Sequence, residues 1–241
     1  MLIMEESVKH GPSNRAGLAL MIFLLAYNNL VNFLPSPLHA RIYVVLNLTC
    51  LAGIWIMARR SLGLSPAEMG WSRRGLGKSL LWGIFFTALV IVPFLIALRI
   101  LPRTGLNINP PRLEGFTPAS LWPRILVRIP LGTVFFEEML FRGIYYGHLQ
   151  RRAGRSRALW ISSLFFAGWH IVPAYEVVRE NFRIGFNLTG VVYWTLGLAG
   201  AFCAGIFFAG IRRRTDNVAG CLLAHYLINS LVLLIIYFLW R

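Results

Sequence analysis

Acidic side chains are scarce in this sequence, which has 9 Asp and Glu residues against 24 Lys and Arg in 241 positions. Cysteine is scarcer still, since there are only 3 and none belongs to a CxxC pair. This number and spacing indicate neither a disulfide framework nor a thiol redox site. Charged residues are only 14% of the chain, whereas about 25% is usual in soluble domains. An ordinary soluble domain is therefore excluded.

Apolar side chains are abundant instead, at 57% of the chain and a mean hydropathy of +0.63. Several apolar runs reach the roughly 20 residues that a helix needs to cross a bilayer. The sequence therefore predicts one polytopic, all-α transmembrane bundle over 1–241 with seven spans, or eight as the alternative. The spans are predicted at about 16–34, 40–58, 77–101, 122–147, 156–176, 188–211 and 217–240.

Basic residues lie between these runs, where loops of membrane proteins carry them. The net charge of +15 therefore does not indicate a nucleic-acid partner. With seven spans, the loops on the amino-terminal side hold about twice as many Lys and Arg as the opposite loops. The positive-inside rule then puts the amino terminus in the cytoplasm, most simply at a bacterial plasma membrane. The first apolar run is predicted to be a retained anchor.

A polar segment separates the second and third spans. It contains Ser65-Pro66-Ala67-Glu68, in which a serine stands three residues before a glutamate as in a capping box. This spacing predicts the start of a short helix, and the basic residues beside it predict that the helix lies on the membrane surface.

Two adjacent carboxylates, Glu137 and Glu138, lie inside an apolar run. An ionisable group in the membrane interior costs several kcal/mol, about 2.5 to 3.5 on insertion scales, and is usually functional. Residues four apart share a helix face, so Glu138 is predicted to pair with Arg142. Glu137 then points elsewhere and is available for chemistry.

Two later spans add His170, and His225 with Asn229 one turn further on. Counting about 1.5 Å per residue from the basic loops places Glu137 and these three side chains at one depth. A carboxylate, two imidazoles and a carboxamide at one level predict a hydrolytic site. Glu137, His170 and His225 could also hold zinc, but the HExxH motif is missing, so zinc is the lesser alternative and no cofactor is predicted.

The order of these motifs resembles the CPBP family of intramembrane proteases, which includes the CAAX prenyl endopeptidases and the bacterial Abi proteins. The motifs are Glu137-Glu138-x-x-x-Arg142, Phe166-x-x-x-His170 and His225-x-x-x-Asn229, and the similarity covers about 62–230. The resemblance implies a glutamate-dependent protease with a helical bundle around a water-filled cavity. It implies that Glu137 and His170 activate water and that His225 and Asn229 form the oxyanion site. Phe166 is predicted to pack His170 in place.

The predicted function is therefore an intramembrane endopeptidase, and its predicted partners are the bilayer and a membrane-anchored or lipidated protein substrate. One alternative is a noncatalytic scaffold or bacteriocin-immunity protein on the same fold, because a fold does not guarantee turnover. Another is a transporter or proton relay that uses the same buried groups. The sequence lacks the inverted repeat typical of secondary transporters.

Overall fold

The computed structural model describes residues 14–32, 36–100, 117–182 and 185–239. These residues form helices and connecting turns without any strand, which confirms the all-α class. The helices are α1 (Asn14–Asn32), α2 (Ser36–Arg60), α3 (Leu76–Ile100), α4 (Pro118–Pro123), α5 (Phe136–Glu138), α6 (Tyr146–Trp169), α7 (Ile171–Phe182), α8 (Leu188–Thr215) and α9 (Ala219–Leu239). Two wider π-helical segments, π1 (Arg124–Phe135) and π2 (Met139–Tyr145), join α4, α5 and α6.

The helices are long and apolar enough for an integral membrane protein. Four in the described part of the chain qualify as membrane spans by length and hydropathy, and a bent pair of helices would make a fifth. The four are Arg41–Arg60, Leu76–Ile100, Leu188–Thr215 and Ala219–Leu239. The membrane location is thus confirmed, whereas the count of seven spans stays a prediction. The residues before Asn14, which precede the predicted anchor, and residues 33–34 at its end lie outside the described residues.

The helical run turns back on itself at Gly154, whose φ of 82° and ψ of 164° are not helical. Glycine adopts a positive φ without a steric penalty. On the two sides of this turn, Phe141 lies 5.3 Å from Phe166 and Phe136 lies 5.6 Å from Trp169, measured between ring centroids. In each pair the two partners lie at similar distances along the chain from Gly154, as in an antiparallel hairpin. The fourth and fifth predicted spans are its two arms.

The predicted helix after Ser65 does not form, so that prediction is wrong. The capping box is present, because Ser65 N–H donates to Glu68 Oε2 over 2.8 Å and Glu68 N–H donates to Ser65 Oγ over 3.2 Å. The chain nevertheless makes only one turn, since Gly70 takes a φ of 76° and the Trp71 N–H bonds back to Pro66. A left-handed glycine ends a helix in this way.

One side of the segment packs against the protein, whereas Pro66, Ala67, Glu68 and Trp71 are exposed, and its location at the membrane surface stays a prediction. Met69 is fully buried, and the buried Arg212 of α8 donates to the Glu68 carbonyl over 2.7 Å and to the Arg142 carbonyl over 3.1 Å. These two bonds from Arg212 join the segment to the helical run that carries Arg142.

The carboxyl group of Glu68 in the same segment is stabilised in its charged form. Burial alone would raise the pKa of Glu68, but hydrogen bonds from Ser65 and the nearby Arg151 outweigh this effect and lower the pKa.

Two glycines allow α3 and α9 to pack with their backbones in contact. A Cβ at Gly220 would lie 2.0 Å from the Ser79 carbonyl oxygen, and one at Gly83 would lie 2.6 Å from the Gly220 oxygen. Small residues permit this kind of close approach between membrane helices. The contact fixes the position of α9, which carries His225.

Gly220→Ala should therefore push α9 away from α3. We expect the free energy of unfolding to fall by about 1 to 3 kcal/mol, the usual cost of overpacking. Thermal unfolding of purified protein in detergent measures this change. Gly200→Ala on α8 is the matched control, because a Cβ there meets nothing within 4 Å. Equal stability of the two variants would contradict the tight contact.

Candidate active site

Glu137 lies on α5, the short helix between the two π-helical segments, and is only 4% exposed. The indole N–H of Trp169 donates to its Oε1 over 3.1 Å. Its Oε2 is buried and has no hydrogen-bond partner among the described residues. That oxygen lies 4.0 Å from His170 Nε2, which is too long for a direct hydrogen bond. Glu137 is thus held by one oxygen and unsatisfied at the other.

His170 follows the last residue of α6 and has a non-helical φ of −94° and ψ of 8°. Its Nδ1 lies 2.7 Å from the Phe166 carbonyl oxygen, and a carbonyl only accepts, so Nδ1 carries the proton of the neutral ring. Nε2 is then an acceptor and faces Glu137. The Phe166 ring lies 4.6 Å from the imidazole between centroids.

The predicted fifth span at 156–176 is not one continuous helix, and this part of the prediction is wrong. The helix breaks at His170, between α6 and α7. Pro173 has no N–H to donate to the carbonyl of Trp169, four residues earlier. The break turns the imidazole of His170 out of the regular helical position and toward Glu137.

Glu138 and Arg142 are both fully buried and form the predicted pair, with Arg142 Nη1 3.2 Å from Glu138 Oε1. The same Glu138 oxygen also lies 2.8 Å from Nδ1 of His225, a contact that the spacing of the motifs did not indicate. Arg142 in turn lies over the Phe166 ring at 4.0 Å. Glu138 therefore joins the buried arginine to the second histidine.

Each of the two carboxylates therefore lies beside a different histidine. Glu137 lies beside His170, whereas Glu138 bonds His225. Both imidazoles lie near Phe166, with ring centroids at 4.6 Å for His170 and 6.2 Å for His225. Asn229, one turn beyond His225 on α9, is half-buried. The structure brings Glu137, Glu138 and both histidines together around one aromatic ring.

Trp169 makes a contact with Glu137 that the sequence analysis did not predict. It is 2% exposed, and a buried indole N–H nearly always needs an acceptor. An apolar run offers few acceptors other than a carboxylate. The position of Trp169 directly before His170 was therefore the signal that could have identified it.

The described part of the chain offers no set of ligands for the zinc alternative. No group of three His, Cys, Asp or Glu side chains there lies close enough to hold a metal ion. His225 directs Nδ1 to Glu138 rather than to an open ligand position. The absence of a cofactor stays a prediction.

The hairpin and the helices after it match a known family. Residues 118–231 match the family described as type II CAAX prenyl endopeptidase Rce1-like. This segment is an Rce1-like domain of the CAAX protease family. Comparisons with curated proteins and with solved structures find no match. The predicted family is confirmed, and at the family level the domain is that of a membrane-embedded CAAX-type peptidase.

The Rce1-like domain contains α4 to α8, α9 as far as Leu231, and every residue of the candidate site. The similarity predicted for 62–117 lies outside the matched segment and stays a prediction. α1 and α2 also precede the domain, yet both contact it, since Asn28 of α1 donates to the Trp169 carbonyl and Asn47 of α2 donates to the Gly132 carbonyl. The domain is therefore supported by helices that the family match does not include.

Proposed function

We propose that this chain is an intramembrane endopeptidase that hydrolyses a peptide bond of a membrane-associated or lipidated protein. The supporting observation is the buried Oε2 of Glu137, which has no hydrogen-bond partner among the described residues and lies 4.0 Å from His170 Nε2. An unsatisfied carboxylate oxygen beside an imidazole acceptor is a suitable place to hold a nucleophilic water. The Rce1-like domain supports peptide hydrolysis as the reaction.

Glu137 acts as the general base in this proposal. A water that donates one hydrogen to Glu137 Oε2 and the other to His170 Nε2 would need hydrogen bonds of about 2.8 Å, which a 4.0 Å separation allows. The carboxylate takes one proton as the water oxygen attacks the carbonyl carbon, and later returns it to the leaving amine as the C–N bond breaks. Positioned general-base catalysis contributes about 10²- to 10⁴-fold.

His225 and Asn229 form the oxyanion site in this proposal. The bond from His225 Nδ1 to Glu138 fixes the orientation of the imidazole, and Nε2 would donate to the oxyanion when both ring nitrogens carry a proton. The Asn229 amide supplies a second N–H from the same face of α9. Removal of one such donor typically costs about 10²- to 10³-fold in kcat.

Trp169→Phe tests whether the indole N–H orients Glu137. We expect kcat to fall by about 10- to 100-fold, because a hydrogen bond to a charged group is worth about 1.5 to 3 kcal/mol. Phenylalanine keeps most of the ring packing, so the fold should persist. Steady-state hydrolysis of a quenched peptide substrate in detergent measures the effect. Trp160→Phe, an exposed position on α6, should stay within about twofold of wild type, and equal rates for both variants would exclude the orienting role.

The substrate class is tested by comparing the membrane peptidomes of cells that express wild type or Glu137→Gln. Carboxyl-terminal fragments found only with wild type would support proteolysis and identify the substrate. Identical peptidomes in the natural host, with both proteins folded and expressed, would contradict the protease and favour the scaffold or immunity alternative. A pH-dependent flux in liposomes that Glu137→Gln abolishes would favour transport.

We also propose that the amino terminus is cytoplasmic and that the membrane is a bacterial plasma membrane. Three basic loops predicted on the same side meet in the structure, since Arg151 bonds the Leu62 and Gly63 carbonyls and Arg155 bonds the Arg213 carbonyl. This clustering supports the charge bias used for orientation. Protease accessibility of a tag at either terminus, in sealed vesicles of known sidedness, tests it. An exposed amino-terminal tag on intact cells would refute the orientation.

A further inference from the structure

The helix break at His170 leaves two backbone groups without their usual helical partners. The Trp169 carbonyl would ordinarily accept from residue 173, but Pro173 has no N–H. The Val172 N–H would ordinarily donate to Gly168, but it turns away at the break. Backbone groups in a membrane interior must find partners within the protein, because no lipid group replaces water. The break therefore needs side chains from another helix.

Two consecutive asparagines of α1 supply those partners. Asn28 is 6% exposed, and its Nδ2 donates to the Trp169 carbonyl over 2.6 Å. The Oδ1 of Asn29 accepts from the Val172 N–H over 3.2 Å, and its Nδ2 donates to the Leu25 carbonyl over 2.6 Å. One asparagine thus acts as a donor and its neighbour as an acceptor, each matched to the group that the break exposes.

The break carries both residues that contact Glu137. Trp169 donates its indole N–H to Glu137 Oε1, and His170 places Nε2 4.0 Å from Glu137 Oε2. A shift in the backbone of Trp169 and His170 would therefore change the hydrogen bond to one carboxylate oxygen and the distance to the other. Displacements of about 1 Å can cost about 10²-fold in catalysis.

We infer that Asn28 and Asn29 are positioning residues for the proposed catalytic pair, through the broken helix at His170. The inference rests on the proposed function. It adds α1, which lies outside the Rce1-like domain, to the parts of the chain on which hydrolysis depends. Each asparagine bonds the backbone of the break, at the Trp169 carbonyl or the Val172 N–H, and it is through these bonds that each would act.

The test compares Asn28→Leu and Asn29→Leu with wild type in the full chain. We expect kcat to fall about 10-fold or more in each variant, because the geometry of Glu137 and His170 changes. KM should stay within about twofold, because neither asparagine is proposed to bind the substrate. Asn47→Leu is the matched control. Asn47 is 2% exposed, donates to the Gly132 carbonyl over 2.8 Å and accepts from the Tyr27 hydroxyl over 2.9 Å, so this variant also loses buried bonds between helices, but none to the backbone of the break.

A second substitution separates positioning from stability. Pro173→Ala restores an N–H that can bond the Trp169 carbonyl, so in the Asn28→Leu background it should restore the thermal midpoint. It also favours a continuous helix, which turns His170 away from Glu137, so kcat should remain low. Recovery of both quantities would overturn the inference, because Asn28 would then only satisfy a carbonyl. An equal loss of kcat in Asn47→Leu would overturn it too.

Hydrogen exchange provides a measurement that does not depend on hydrolysis. Peptides that span 168–174 should exchange about three- to tenfold faster in Asn28→Leu and Asn29→Leu than in wild type, since each variant loses about one hydrogen bond at the break. Asn47→Leu should leave their exchange unchanged. Unchanged exchange in the α1 variants would overturn the inference, whereas an inactive wild type with the expected exchange pattern would refute only the proposed function.

Discussion

Glu137→Gln should reduce kcat for peptide hydrolysis by about 10²- to 10⁴-fold or more, the contribution expected of a positioned general base. Glutamine keeps the length of the side chain and an oxygen that can accept the Trp169 N–H, but an amide cannot take a proton from water. The fold should be little affected, because Oε2 of Glu137 makes no described hydrogen bond. Single-turnover hydrolysis of a lipidated peptide measures the chemical step directly.

Glu176→Gln on α7 is the matched control for that experiment. Glu176 pairs with Arg179 outside the candidate site, and its substitution should leave kcat within about twofold. If Glu137→Gln retained more than about a tenth of wild-type kcat, Glu137 could not be the base. The reaction would then need another general base. The proposed roles, with Glu137 as the base and Glu138 as the partner of Arg142 and His225, would be incorrect.

The course of the helices could be predicted from sequence because the thickness of a bilayer fixes how long an apolar helix must be. The third span was expected at 77–101, and α3 covers Leu76–Ile100. The turn at Gly70 and the break at His170 were not foreseen. A glycine or proline signals a change of direction only weakly, and its effect here depends on bonds to α8 or α1, which are far away in sequence.

Some contacts of the candidate site could likewise be predicted from the sequence, and others could not. The pair of Glu138 with Arg142 follows from helical spacing, because both residues lie on one helical run. The bonds from His225 to Glu138 and from Trp169 to Glu137 join positions 87 and 32 residues apart. Such contacts depend on how each helix rotates about its axis, and motif order does not determine that rotation.

Glu138→Leu should destabilise the protein more than any other single change considered. It leaves the guanidinium of Arg142 fully buried without its carboxylate, with a long bond to the Gly205 carbonyl at 3.4 Å and aromatic faces around it. Breaking a buried ion pair by removing one partner costs about 3 to 5 kcal/mol. Thermal unfolding in detergent, or the yield of folded protein, should show this loss.

An exposed ion pair provides the control for burial. Arg155 and Asp216 lie 3.0 Å apart with side chains 49% and 43% exposed, and exposed pairs contribute about 0 to 1 kcal/mol. Arg155→Gln removes this pair and leaves Asp216 with its second partner, the buried Arg212 at 3.5 Å. It should therefore change the free energy of unfolding by no more than about 1 kcal/mol.

The double variant Glu138→Leu with Arg142→Met separates folding from function. Replacing both partners of a buried pair with apolar residues is often neutral or stabilising, so stability should return close to that of wild type. Hydrolysis should not return, because His225 has lost the Glu138 oxygen that holds its Nδ1 and orients the ring. A double variant as unstable as Glu138→Leu would show that unpaired charge is not the cause. A stable and fully active one would show that Glu138 serves only to pair Arg142, and His225 would then need no carboxylate to act on the oxyanion.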